Sequence, residues 1–315
     1  MESLPISFAQ SAQYHFTLAI QIAAKVNVSS INNFKSLARN ISIVENAAQD
    51  FEKLLSTLQP KNIPVIGFTG PPGAGKSTLL NAVIGKLLAE GKKIGLLLVD
   101  PSSPFNFGAI LGDRLRMSAH FNNPHLFIRS LATRGSLGGL SDTIIEVLEV
   151  MKSYPFDFIF IETVGVGQSE VEIAGLADTT VVVLVPEAGD GIQAMKAGLM
   201  EIADVFAINK ADRSDADAIV SALQHQLHIA GREEIPVIKT IAVEAKGVNE
   251  LIETFNQPHT EKGKARRLFL FGEKVLRIIQ KRRMQNFDTP AMRQNLAARI
   301  DKPNFNLYKF VSEFE

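Results

Sequence analysis

The clearest pattern in the sequence is a series of short apolar runs that alternate with amphipathic stretches. Most of the runs are continuously apolar, which is typical of strands buried on both faces of a parallel sheet. The amphipathic stretches have helical spacing and suit the crossovers between parallel strands. The predicted strands are 63–69, 93–99, 126–131, 156–162, 179–185, 204–209 and 236–241, and the predicted helices are 77–90, 139–153, 192–202, 215–230 and 248–256. This pattern predicts an α/β fold with a mostly parallel sheet and helices on both faces.

Helical regions flank this alternating core on both sides. Before it, apolar residues at steps of three and four predict one amphipathic helix that packs on the core: Leu37, Ile41, Val44, Ala48, Phe51, Leu54, Leu55 and Leu58. After it, the basic stretch 261–283 keeps Leu268, Phe271, Val275 and Ile278 at helical spacing. We therefore divide the chain into an N-terminal helical extension (1–62), an α/β domain (63–258) and a C-terminal helical arm (259–315). The apolar stripe of the arm is expected to form a homodimer interface.

Composition narrows the class of partner. The chain of 315 residues has 33 basic and 33 acidic side chains, so no net field favours a nucleic acid. Without cysteine it has neither disulfides, nor thiolate metal sites, nor a cysteine nucleophile. The apolar run 16–26 is too short and too polar to cross a bilayer. We expect a cytoplasmic protein with no nucleic-acid or membrane partner, although a basic helix such as 261–283 can bind either.

A glycine-rich segment follows the first predicted strand and opens the first predicted helix. It matches the phosphate-binding pattern G-x-x-x-x-G-K-[ST], with Gly70, Pro71, Pro72, Gly73, Ala74, Gly75, Lys76, Ser77 and Thr78. Glycines let backbone N–H groups approach an anion, and the helix N-terminus adds partial positive charge. We expect Lys76 to reach the β- and γ-phosphates and the Ser77 hydroxyl to ligate Mg²⁺. The segment predicts a site for a nucleoside triphosphate.

A second motif, Asn209-Lys210-Ala211-Asp212, ends the predicted strand 204–209. The Asp212 carboxylate can accept hydrogen bonds from the ring N–H and the exocyclic amine of guanine, a donor pair that adenine lacks. If this carboxylate is buried, adenine leaves it unpaired at a large energetic penalty. The stem of Lys210 would cover the base, and Asn209 would tie the turn to the phosphate loop. These residues predict GTP and GDP as ligands.

Acidic residues follow two further predicted strands. Asp100 follows the strand 93–99 and Glu162 ends the strand 156–162, at the edge where parallel sheets bind ligands. We expect both to hold Mg²⁺ together with Ser77. Gly165 is expected to meet the γ-phosphate. In the segment that follows Asp100, Asp113 could orient the attacking water, and Arg116 could contact phosphate or a partner. A role in a surface ion pair is equally consistent with each of these two residues.

Together these motifs resemble the methylmalonyl-CoA mutase-associated GTPases of the MeaB/ArgK type, which are also labelled LAO/AO transport system kinases. The most specific match is Glu162–Glu170, E-T-V-G-V-G-Q-S-E. The resemblance implies a P-loop NTPase fold and hydrolysis of GTP to GDP and phosphate. It also implies a homodimeric chaperone that serves a cobalamin-dependent acyl-CoA mutase, with Gln193 and Lys196 in a switch that couples nucleotide state to this partner.

Three departures from the family pattern lie near these sites. Asn106-Phe107 and Leu115 replace residues of the switch-like loop. The resemblance also implies a guanine-supporting loop, which in this chain is Ile241, Ala242 and Val243. Ile241 replaces its supporting serine, and the contact of the Ala242 N–H with the base is expected to remain. Two other functions stay open: a P-loop kinase or ATPase linked to lysine, arginine and ornithine transport, and a metallochaperone GTPase that delivers nickel. The second would need a Cys/His cluster, whereas the chain has no cysteine and six scattered histidines.

Overall fold

The computed structural model describes residues 34–48, 50–100, 120, 122–132, 143–163, 169–186, 198–256, 261–284, 287–302 and 305–314. Seven strands of this part of the chain form a sheet in the order β3-β2-β4-β1-β5-β6-β7, and each neighbouring pair is parallel. The strands are β1 Val65–Thr69, β2 Ile94–Asp100, β3 Leu126–Ala132, β4 Phe158–Thr163, β5 Thr179–Leu184, β6 Val205–Ile208 and β7 Val237–Lys239. All seven predicted strands and the parallel sheet are confirmed.

Helices connect and cover these strands. They are α1 Phe34–Glu45, α2 Phe51–Thr57, α3 Lys76–Ala89, α4 Ile144–Lys152, α5 Ser169–Leu176, α6 Leu199–Ile202, α7 Ala216–Ile229, α8 Val248–Glu253, α9 Glu261–Arg283, α10 Thr289–Ala297 and α11 Leu307–Val311. The predicted helices near 77–90, 215–230 and 248–256 are confirmed by α3, α7 and α8. The predictions over 139–153 and 192–202 extend outside the described residues. Helix α5 was missed, because its eight residues show little separation of apolar and polar faces.

Alternate side chains of the strands enter cores on the two faces of the sheet. Ile66 and Phe68 of β1 belong to the core that includes the apolar residues of α3, whereas Val65 belongs to the core that includes α1 and α4. All positions of β1 and β4 are buried, because both strands are central and covered on both sides. The continuous apolar runs in the sequence follow directly from this double coverage.

The predicted single helix over residues 37–58 is wrong in one respect, since it is divided into α1 and α2. Ala47 and Asp50 lie between them with φ of 45° and 68°, in the left-handed region that an α-helix does not use. The apolar face itself was predicted correctly: Leu37, Ile41 and Val44 are fully buried. Helix α1 is also tied to the sheet edge, because the Arg129 guanidinium of β3 pairs with Glu45.

The chain divides into two compact units, Met1–Arg267 and Leu268–Glu315, with α9 crossing the division. The second unit contains a cluster of phenylalanine rings, in which the Phe310 and Phe314 centroids lie 5.2 Å apart. In the same unit, Arg299 Nη1 donates to both carboxylate oxygens of Glu313, at 2.7 and 2.8 Å. Within the described residues, we find no helix with the length and apolar character needed to cross a membrane.

Candidate nucleotide-binding site

The phosphate loop connects β1 to α3 and requires glycine at two of its positions. Gly70 and Gly75 have φ of 134° and 84°, a region that side chains disfavour. A Cβ on Gly70 would lie 2.2 Å from the Val183 carbonyl oxygen, and one on Gly75 would lie 2.4 Å from Asn209 Nδ2. The loop is therefore held against both β5 and the residue that follows β6, and any other residue at these positions would move it.

Lys76, the first residue of α3, is buried and turned back into the phosphate loop. Its Nζ donates hydrogen bonds to the carbonyl oxygens of Gly70 at 2.7 Å and of Pro71 at 3.0 Å. These contacts hold the ammonium group above the loop, beside the N-terminus of α3. A fixed positive charge at this place suits the binding of phosphate oxygens.

Two of the three predicted metal ligands, Ser77 and Glu162, are in contact at the start of α3. The Ser77 hydroxyl donates to Glu162 Oε1 at 2.5 Å, and both residues are buried. Glu162 is brought there by the pairing of β4 with β1, in which it lies opposite Phe68. Asp100 ends β2 at the same edge of the sheet, and its side chain lies outside the described part of the structure. A hydroxyl and a carboxylate in contact provide the hard oxygen ligands that Mg²⁺ requires, so these residues fit a magnesium ion.

Asn209 links the phosphate loop to the two loops at the ends of β6 and β7. It is 2% exposed, and its Nδ2 donates to the Ala74 carbonyl oxygen at 3.0 Å. Its Oδ1 accepts hydrogen bonds from the Ala242 N–H at 3.2 Å and from the Thr240 hydroxyl at 3.3 Å. The predicted tie between Asn209 and the phosphate loop is thus present. The Ala242 N–H, which we expected to face a base, instead supports Asn209.

Lys210 and Asp212 lie in the same turn. Lys210 has φ of 56°, and its Nζ donates to the Gly73 carbonyl oxygen at 3.0 Å, which is a second link to the phosphate loop. Asp212 is exposed, so the chain alone does not bury the carboxylate, as a large penalty against adenine would require. The exposure arises because the turn projects beyond the end of the sheet. A base bound there would itself have to cover the carboxylate.

The loop after β7 lies beside this turn. Ile241 and Lys246 form an antiparallel bridge across it, with Val243 83% exposed at its tip. The Lys246 ammonium bonds Glu244 at 2.6 Å. That hydrogen bond and the charge of Glu244 raise the pKa of Lys246, and the charge of Asp212 raises it slightly further.

Thr240 is the polar residue of this site that the sequence analysis missed. It is fully buried, its backbone N–H donates to the Ile208 carbonyl oxygen at 2.8 Å, and its carbonyl accepts from the Ala211 N–H at 3.1 Å. A threonine directly after the apolar run 235–238 and Lys239 is visible in the sequence, but no short motif marks it as part of a site.

The remaining predicted residues of the site or its switches lie outside the described residues: Asn106, Phe107, Asp113, Leu115, Arg116, Gly165, Gln193 and Lys196.

Known proteins are similar to this chain in sequence and in fold. A family model described as methylmalonyl Co-A mutase-associated GTPase MeaB matches residues 37–284. A Pyrococcus abyssi protein whose name places it among the GTPases is 46% identical over 257 residues, which cover 79% of this chain and 76% of that protein. A mouse protein named methylmalonic aciduria type A homolog, mitochondrial, is 38% identical over 203 residues, or 61% of this chain and 48% of that protein.

The crystal structure of an LAO/AO transport system kinase shares the fold, with a TM-score of 0.63 and 24% sequence identity. It covers 99% of this chain, and this chain covers 98% of it. The family model spans most of the chain and includes both the phosphate loop and the Asn209–Asp212 turn. The resemblance inferred from the motifs is therefore confirmed: this chain is a P-loop GTPase and belongs to the methylmalonyl-CoA mutase-associated GTPase family, MeaB.

Proposed function

We propose that this GTPase binds GTP with Mg²⁺ in the cytoplasm, hydrolyses it to GDP and phosphate, and acts as a chaperone or regulator of a cobalamin-dependent acyl-CoA mutase. The observation that carries the nucleotide part is the link between Asn209 Nδ2 and the Ala74 carbonyl oxygen. This link joins the turn proposed to read guanine directly to the loop proposed to hold phosphates. The mutase part is supported by the family description and by the name of the mouse relative.

In the proposed reaction, the chain's own groups hold the triphosphate while water attacks the γ-phosphorus. Lys76 neutralises charge on the β- and γ-phosphates, and the backbone N–H groups of the loop bind the same oxygens. Ser77, Glu162 and Asp100 would hold Mg²⁺, which supplies further neutralisation of the developing charge. For Asp113 we propose orientation of the attacking water, for Gly165 contact with the γ-phosphate, and for Arg116 contact with phosphate or the partner.

The proposed coupling to the mutase makes a prediction about Gln193 and Lys196. Each alanine variant should retain the GTP affinity and intrinsic hydrolysis rate of the parent protein and lose most of the stimulation by a cognate mutase. The reason is that these side chains would report nucleotide state to the partner without taking part in hydrolysis. Phosphate release is measured with and without the mutase, and with ATP in place of GTP. An equal loss in the presence and absence of mutase would place both residues in the hydrolytic site.

The phosphate-release assay also separates the GTPase function from the kinase alternative. That alternative is suggested by the name of the LAO/AO transport system kinase. A GTPase releases inorganic phosphate in step with GDP. A kinase transfers the γ-phosphate to an acceptor, so it forms little GDP when no acceptor is present. Repeated turnover of GTP without any added acceptor, with one phosphate released per GDP, is the expected result.

We also propose that α9 forms a homodimer interface. Its side chains Leu268, Val275 and Leu276 are 76%, 53% and 52% exposed in the single chain. A run of exposed apolar groups on a long helix is unfavourable in water and is typical of a surface that a second protein copy covers.

Light scattering at micromolar concentration should therefore give twice the mass of the chain. The double substitution Leu268→Asp and Val275→Asp should give a monomer, because it places charges in the interface. Glu273→Ala, on the opposite side of the same helix and also exposed, should leave the dimer intact. A dimer that persists in the double variant would remove α9 from the interface.

A further inference from the structure

We propose that the α9 helices of two copies of this chain cross antiparallel at Gly272, so that the large apolar side chains around this glycine pack on the same side chains of the second copy. This inference rests on the proposed homodimer. It adds the point at which the two helices touch and the direction in which they run. Gly272 is the middle residue of α9, which begins at Glu261 and ends at Arg283.

Gly272 lies at the centre of the exposed apolar face of α9. Residues three and four positions apart are neighbours on the surface of a helix. The neighbours of Gly272 are therefore Leu268 and Phe269 before it and Val275 and Leu276 after it, and all four are large, apolar and more than half exposed. Gly272 is exposed as well. The centre of this face is thus a position without a side chain, surrounded by four large apolar groups.

The part of the chain that the structure describes does not require glycine at this position. Gly272 lies in regular α-helix and does not have a positive φ. A Cβ on it would meet no atom within 4 Å. Glycine also weakens the interior of a helix relative to alanine. A second helix that crosses here would explain the glycine, because two backbones approach more closely where a side chain is missing.

The arrangement around Gly272 is complementary to itself. Apolar residues lie three and four positions before it and three and four positions after it. A two-fold axis that passes beside Gly272 therefore places Leu268 of one copy against Leu276 of the other, and Phe269 against Val275. A second copy of this chain thus fits the face without any further assumption about the shape of the partner.

The charges of α9 favour the antiparallel direction. A parallel pair would bring Arg282 and Arg283 of one copy beside the same residues of the other and would align the two helix dipoles. An antiparallel pair places this basic end beside the beginning of the other helix, where Glu261 lies as far before Gly272 as Arg283 lies after it. Residues of opposite charge then lie at matching ends of the contact.

An anionic membrane is the other surface that a basic helix with an apolar face can bind. A lipid surface is fluid and gains nothing from a glycine at the centre of that face, where a large apolar side chain would bury more area. The position of Gly272 therefore favours a second protein helix.

Disulfide cross-linking tests the crossing, because the chain has no cysteine of its own. The double variant Leu268→Cys and Leu276→Cys should form a covalent dimer under mild oxidation. Its two thiols are about 12 Å apart along one helix, too far for a disulfide within the chain. Each single variant should cross-link much less, since antiparallel helices keep identical positions apart. Non-reducing electrophoresis measures the covalent dimer, and Gln280→Cys, at an exposed position of the same helix, controls for random collisions.

Gly272→Leu tests the need for close approach. It should raise the dissociation constant of the dimer at least about tenfold, because a large side chain overpacks the crossing. Leucine is a better helix former than glycine, so a weaker dimer cannot be attributed to a lost helix. Gln280→Leu is the matched control and should dimerise like the parent protein. Light scattering over a series of dilutions measures the dissociation constant.

Two results would overturn the crossing at Gly272. One is a Gly272→Leu dimer as tight as that of the parent protein, and the other is cross-linking of the single-cysteine variants that matches that of the double variant. A parent protein that is monomeric would instead overturn the proposed homodimer, so the two failures are distinguishable. A monomeric parent that binds vesicles of anionic phospholipid would assign this face of α9 to a membrane.

Discussion

Asp212→Asn should lower the affinity for GTP and GDP by about 10²- to 10³-fold, because two hydrogen bonds from guanine donors to a charged acceptor are lost or reversed. The carboxylate is exposed in the chain, so its replacement should not change the melting temperature. Titration calorimetry with GDP measures the loss. Asp215→Asn, which neutralises a neighbouring exposed carboxylate, is the matched control and should bind normally.

The Asp212→Asn variant should also gain affinity for xanthine nucleotides. Xanthine has a carbonyl oxygen where guanine has its exocyclic amine, and the asparagine amide can donate to that oxygen. If the variant loses affinity for GDP and gains affinity for xanthosine diphosphate, its base specificity has changed while its fold is intact. If the parent protein binds ADP as tightly as GDP, Asp212 does not select the base.

Lys76→Ala should lower the affinity for GTP by at least about 10²-fold and abolish hydrolysis. The ammonium group is held at the phosphate loop by two carbonyl oxygens, and no other residue of the loop from Gly70 to Thr78 carries a positive charge. Binding is measured with a non-hydrolysable GTP analogue, and turnover by phosphate release. Lys86→Ala removes an exposed lysine from the last turn of the same helix and should change neither quantity.

Glu162→Gln provides a contrast within the same site. Glutamine can still accept the hydrogen bond from Ser77, so the local structure should persist while the negative charge is lost. Nucleotide binding without magnesium should be preserved, and the stimulation of hydrolysis by magnesium should fall. A Lys76→Ala variant that still hydrolyses GTP, or a Glu162→Gln variant with the parent's magnesium dependence, would exclude that residue from the mechanism.

The fold was largely predictable because burial on both sides leaves a continuous apolar run for each strand. Val181 to Leu184 and Ile159 to Ile161 are such runs, and each is fully or almost fully buried. The division of the N-terminal helix was not predictable in this way. It depends on left-handed conformations at Ala47 and Asp50, and neither residue type requires a positive φ. The spacing of apolar residues predicts which face of a helix is buried. It does not predict a break between two helices that bury the same face.

The candidate site shows the same limit. The phosphate loop and the Asn209–Asp212 turn were recognisable because their residue types are set by local geometry, as the close approach at Gly75 shows. The role of Thr240 and the use of the Ala242 N–H depend on how the ends of β6 and β7 pair. These contacts join residues about thirty positions apart along the chain, and no short motif records them. The exposure of Asp212 likewise depends on where the turn projects.

The central place of β1 in the sheet has a consequence for synthesis on the ribosome. Its two neighbours, β4 and β5, are encoded about a hundred residues later. At translation rates of roughly 5–20 residues per second, β1 emerges several seconds before either partner. Its five residues are all buried in the folded chain, so during this interval an apolar strand and the phosphate loop attached to it are exposed. The nucleotide site does not exist during that interval, so a ligand added to cells cannot protect the nascent strand from aggregation.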